Sequence, residues 1–256
     1  MKKIVSLLLL VTMVLTLLAL TSCGSEFRLG LGVEYSATAP TDAEAATDDT
    51  AAKAGATTAT YTVCALTIDK NGKITACTFD AFDAKLEYTA TGENVVLKSL
   101  KTKREQGTDY GMVAYGGAKL EWFEQADALA KTLIGKGKAD IASLVTADGK
   151  GSTEVTTAGC TITVSDFIKA AEKAYAAAEK ATATSAEGVT LSVKSEQSGK
   201  AATDSENGNV TVSTAFEAVC GEEKAKASFE ATVTFDKNGA AAKSASDVIT
   251  VVTTID

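Results

Sequence analysis

From residue 58 the chain changes into alternating apolar and polar positions. Tyr61, Val63, Leu66 and Ile68 lead into Asp69-Lys70-Asn71-Gly72, and Ile74, Cys77, Phe79 and Phe82 follow. β-branched and aromatic residues on both sides of an Asn-Gly turn predict a β-hairpin. Residues 94–100 read as a further strand. The period then lengthens. Leu120, Phe123, Ala126, Leu129 and Leu133 recur at three- and four-residue steps, which predicts a helix over 119–134 with Gly135 as its stop. Phe167, Ile168, Ala171, Ala174, Tyr175 and Ala178 predict a second helix over about 165–180, with Ser165 as N-cap and Asp166 in the first turn. Alternation returns at 189–193, 211–219, 227–235 and 248–255. The pattern predicts an α+β fold, with an antiparallel or mixed sheet packed on two helices.

A short repeat overlies this order. Residues 65–72, ending in Asp-Lys-Asn-Gly, match residues 232–239, and Leu31-Gly32-Val33 resembles Leu191-Ser192-Val193. Such self-similarity indicates a duplicated unit. The expected organisation is a signal at 1–22, an acidic Ala/Thr-rich spacer at 23–57, an α+β domain at 58–182 and a β-rich partial second copy at 183–256. The spacer could hold a short strand at 29–35.

The first residues form an address. Lys2 and Lys3 precede a mostly apolar run over 4–20, and Leu20-Thr21-Ser22-Cys23 follows. A basic start, an apolar centre and small residues before a cut describe a secretory signal. The cysteine makes it resemble a bacterial lipoprotein signal, which is cut before Cys23. That resemblance implies acylation of Cys23 and an extracytoplasmic protein anchored in the cell membrane by its acyl chains. Removing residues 1–22 takes away two lysines and no acid, so the formal charge of −8 becomes −10. An anionic surface repels such a chain, which leaves anchorage to the lipid.

Composition removes several kinds of chemistry. The chain has no histidine, which excludes Ser-His-Asp and Cys-His catalytic sets and histidine-ligated metals. The acidic balance argues against nucleic acid as a partner. Four cysteines follow Cys23: Cys64, Cys77, Cys160 and Cys220. None has the spacing of a zinc or redox pair, so no metal site is expected. A two-residue hairpin loop would set Cys64 opposite Cys77 for a disulfide. A three-residue bulged loop would turn the two thiols to opposite faces. No spacing of paired carboxylates suggests a hydrolase.

Three segments could carry chemistry. The mixed-charge stretch 101–112 has Lys101, Lys103 and Arg104 to meet phosphate, or is a solvated connection. Trp122, the one tryptophan, lies beside the apolar stripe of the first helix, at a rim or in the core. Thr156-Thr157-Ala158-Gly159-Cys160-Thr161-Ile162-Thr163 stands just before the second helix, where backbone amides and a positive dipole end suit an anion. A plain capping turn is the alternative there.

Several blocks in order carry a resemblance: the Asp-Lys-Asn-Gly hairpin, Lys101 to Met112, Glu121-Trp122-Phe123-Glu124-Gln125-Ala126, and Ala158 to Ala170. In this order they are similar to bacterial FMN-binding-domain lipoproteins. In that family a motif of the type Asp-x-x-Ser-Gly-Ala-Thr-x-Ser precedes a helix, and a flavin transferase joins FMN to its threonine through a phosphoester. The resemblance places that threonine at Thr161, the glycine at Gly159 and the last hydroxyl residue at Thr163. Val155, Ala158 and Cys160 depart from the pattern. The cofactor contacts so implied are Thr161, Gly159, Cys160, Thr163, Trp122 and Tyr110. The implied function is a flavin-carrying, extracellular electron-transfer component with redox partners, a carrier rather than a catalyst. The alternative is a non-catalytic surface or ligand-binding lipoprotein that keeps the fold without the flavin.

Overall fold

A computed structural model describes residues 26–255, apart from 45, 90–95, 98–99, 202, 204, 237–239 and 242–243. The expected signal at 1–22 and Cys23 lie outside the described residues. The fold is α+β, with three layers: helices, a five-stranded sheet and a four-stranded sheet. Among the described residues no helix is long and apolar enough to cross a membrane.

The first sheet contains β1 (Phe27–Ala37), β2 (Gly55–Asp69), β3 (Ile74–Tyr88), β4 (Val96–Leu97) and β5 (Ala183–Thr184), in the order β4-β3-β2-β1-β5. Its neighbouring strands pair antiparallel. The segment expected to be a spacer is therefore largely structural. β1 pairs with β2 along its whole length, from Phe27 opposite Asp69 to Ala37 opposite Ala59. Its glycines answer to packing. A Cβ on Gly30 would lie 1.9 Å from the Ala174 carbonyl oxygen, and one on Gly32 would lie 2.2 Å from that of Ala170. A helix backbone lies against the strand there, and no side chain fits between them. Residues 38–54 return the chain to β2, tied by the Glu44–Lys53 bridge and by the Thr41 amide on the Ala56 carbonyl.

The helical layer contains α1 (Lys103–Gln106), α2 (Trp122–Leu133), α3 (Lys138–Ile141), α4 (Thr153–Thr157) and α5 (Ser165–Ala178). The two long helices lie where the periodicity puts them, though Val164 and not Ser165 is the N-cap of α5. Their apolar faces cover one side of the first sheet. Leu129, Leu133, Phe167, Ile168 and Ala171 pack with Cys64, Leu66, Ile68 and Phe79.

The tail forms β6 (Thr190–Lys200), β7 (Gly208–Cys220), β8 (Glu223–Phe235) and β9 (Ile249–Ile255), a meander in sequence order. This sheet covers the other face of the first. Tyr61, Phe82, Leu86 and Tyr88 meet Phe216, Phe229, Val233 and Phe235 in a second core. The period of two in β2 thus has both of its phases buried, because each face has a cover. The residues that flank the repeated turn bond alike. Asp69 donates its amide to the Lys73 carbonyl and accepts the Lys73 amide on Oδ1. Asp236 does the same with Ala240.

The β2–β3 register follows neither form expected for the cysteines. Ile68 pairs with Ile74, and a bulge then makes Thr67 pair with Ala76, leaving Thr75 as the extra residue. Turn and bulge each shift the register. Cys64 therefore faces Phe79, and Cys77 faces Leu66. The two thiols share the helix-facing side as diagonal neighbours, with sulfurs 3.7 Å apart and no disulfide between them.

Candidate functional site

Thr161 lies in the turn that brings the chain from α4 into α5. Val155 and Cys160, both buried, plug this turn into the helical core. Gly159 makes the turn possible with φ +111°, and a Cβ there would lie 3.2 Å from Leu120. Thr161 itself is exposed. Its amide (2.9 Å) and its hydroxyl (3.1 Å) both donate to Oε1 of Gln125. Gln125 is buried at the start of α2, and its Nε2 donates to the Leu120 carbonyl at 3.0 Å. One buried amide thus joins the start of α2 to the turn before α5 and fixes the Thr161 hydroxyl in place.

A cation stands beside this turn. Lys150 pairs with Thr163 in an isolated bridge, and its Nζ donates to Thr163 Oγ1 at 3.1 Å. The first helical bond of α5 runs from the Ile168 amide to the Val164 carbonyl, so the amides of 165–167 precede the ladder. Gln125 and Lys150 are the two residues at this site that sequence reasoning missed. Gln125 reads as an ordinary polar helix position, and Lys150 is brought in only by the pairing of 150 with 163.

The other candidates are engaged elsewhere. Trp122 is 4% exposed and packs on Phe167 with ring centroids 5.7 Å apart, so it is a core residue and presents no face at a rim. Cys160 is likewise buried, and burial pushes its thiol pKa up to about 11, which makes it inert near neutrality. Tyr110 is half-buried, with Lys103 Nζ 5.4 Å from its ring centroid. Lys103 also pairs with Asp83 at 3.1 Å. Burial alone would lower the Lys103 pKa, but Asp83 and Tyr110 together raise it. Arg104 clamps α1 onto the sheet. Its Nε and one terminal nitrogen donate to the Phe79 carbonyl (3.1 and 2.9 Å), and the same nitrogen meets Asp127 at 2.8 Å. Beneath it Asp80 is buried and accepts the amides of Ala81 and Arg104. Desolvation raises the Asp80 pKa, against the bonds from Thr102, Ala81 and Arg104. The 101–110 stretch is therefore a pinned element, and Lys103 and Arg104 do not stand ready for a phosphate.

The loop into α2 is held by a buried carboxylate. Glu121 accepts the amides of Met112 (2.9 Å) and Val113 (3.1 Å). Tyr115 on this loop is 92% exposed. The residues near Thr161 fit the phosphate end of a flavin nucleotide: an exposed threonine, a lysine on Thr163 and amides at a helix start. The aromatic residue named to receive the ring, Trp122, does not fit it. Among the described residues no group of acidic or cysteine side chains is arranged to hold a metal ion. Searches of protein-family models, curated proteins and solved structures each return no match to this chain.

Proposed function

We propose that the protein is a lipid-anchored extracytoplasmic carrier in which Thr161 is the attachment point for FMN. The observation that carries the reading is Thr161, an exposed residue whose hydroxyl is fixed by its bond to buried Gln125. A transferase needs a nucleophilic oxygen that it can reach, and a carrier needs that oxygen in one place. Lys150 and the first amides of α5 would neutralise the phosphate, and the flavin would supply the redox chemistry. Coproduction of the full chain with a flavin transferase tests this. The processed protein should be yellow and heavier by FMN less water, and Thr161→Ala should be colourless and unmodified.

A second reading has its own observations. Val155, where the family has an acid, is fully buried, and Trp122, Lys103 and Arg104 serve the fold. On these grounds the protein is a surface lipoprotein that keeps the fold and binds no flavin. Unmodified mass after coproduction, together with unquenched fluorescence of added FMN, decides for this reading.

A further inference from the structure

β1 starts four residues after Cys23 in the sequence. Gly24, Ser25 and Glu26 stand between that cysteine and Phe27, a span of about 14 Å at full extension. An acyl anchor on Cys23 therefore holds one end of the folded body against the bilayer.

That end is built from named parts. Phe27 pairs with Asp69 at the β2–β3 turn and with Thr184 of β5. Tyr175, near the end of α5, donates to the Gly72 carbonyl at 2.7 Å. The end of α2 joins through the Ile74 amide on the Lys136 carbonyl, and Arg28 reaches the Glu179 carbonyl at 3.2 Å. These contacts gather Arg28, Lys70, Lys73, Lys136, Lys138 and Lys180 at one end. Lys70, Lys73 and Lys180 are exposed there, and so is the apolar Ile134.

Glu26 is exposed next to Phe27, and the other acids on this side are engaged. Asp69 holds the amides of Asn71 and Lys73, Asp140 holds that of Gly137, Glu154 pairs with Lys136, and Glu179 pairs with Lys138. On the far side of β1 the same end is acidic. The β7–β8 turn packs beside Ala186 and Thr184 and carries Glu222 and Glu223, with Glu187 next to it and Lys224 after it. The two sides of the anchored end thus differ in charge although the chain as a whole is acidic.

We propose that the lysine-bearing side of this end docks on an anionic phospholipid surface, with the Thr161 turn directed away from it. The inference rests on the lipoprotein reading of Cys23. Lys70, Lys73 and Lys180 meet lipid phosphates and Ile134 enters the interface, while Glu222 and Glu223 are turned off the surface. α5 runs from the Thr161 turn to this end over 14 residues, which places the turn about 20 Å farther out. Whatever Thr161 carries is then presented to the medium and not to the bilayer.

The test is amine labelling of the full processed chain in phosphatidylglycerol vesicles and in phosphatidylcholine vesicles, read by peptide mass. Intact mass first reports acylation of Cys23. The expected result is acylated protein in which Lys70, Lys73 and Lys180 label about fivefold more slowly on the anionic vesicles. Lys53 and Lys119, at the other end, should label equally on both. In the exposed-turn variant Lys70→Glu/Lys73→Glu, Lys180 should lose this protection while the acyl mass stays. Acylated protein whose three lysines label equally in both vesicles overturns the docking surface alone. Protein without acyl mass overturns the reading of Cys23 and the docking with it.

Discussion

Gly30 shows how much a missing side chain can decide. The Ala174 carbonyl fills the space a Cβ would take, so Gly30→Ala must push α5 off β1. Urea unfolding should show a loss of about 3 kcal/mol, in the range of overpacked cores. Gln125 is the converse case, since its amide serves three partners at once. Asp80 adds a pH dependence with a definite sign. Burial raises its folded pKa above 3.8, so the folded state holds the proton more tightly than the unfolded chain. Its contribution is most favourable below 3.8 and is lost as pH rises through the raised value. Wild type should therefore gain stability relative to Asp80→Asn as pH is lowered from 7 towards 4, and a flat difference in denaturant midpoint would contradict this. Glu34 acts in the opposite direction. Burial would raise its pKa, but Lys173 and Lys169 together lower it, so its stabilisation is complete above 4.5 and fades as pH falls.

At the scale of elements, the β2–β3 hairpin and the helices α2 and α5 were legible because each has one clean period and a turn or stop residue. The register of the hairpin was not. Asn71-Gly72 announces a turn, but the shift at Thr75 is a bulge that has no residue signature in the sequence. That bulge sets Cys64 and Cys77 side by side as separate thiols. Burial and the neighbouring Cys77 both raise the Cys64 pKa. In native protein a maleimide should modify half-buried Cys77 first, while Cys64, Cys160 and Cys220 react only on unfolding. Peptide mapping after timed alkylation checks the order. Failure of Cys77 to react even in denaturant would mean that the pair is joined. β1 was legible only in part, as a short strand in a spacer, because its alternate glycines carry no hydropathy signal.

For the molecule as a whole, the two sheets share a core that the expected division at residue 182 would cut. Tyr61, Phe82 and Tyr88 are covered by Phe216, Phe229 and Phe235 of the second sheet. A chain truncated after 187 would expose this face, so it should bind a hydrophobic dye strongly and aggregate. Soluble, cooperatively unfolding fragment would contradict the shared core.

By itself the sequence determined the α+β class, the two long helices and the β2–β3 turn, because these follow from local periodicity and turn chemistry. It also marked Thr161 as a residue at a helix entrance. Tertiary structure alone decided that Trp122 and Arg104 serve the fold, that Gln125 holds Thr161 while Lys150 meets Thr163, and that β1 stands inside the sheet. Those outcomes depend on which surfaces meet across long chain separations. A buried amide or a covered ring has no local signature, since its meaning comes from the partner that removes it from water.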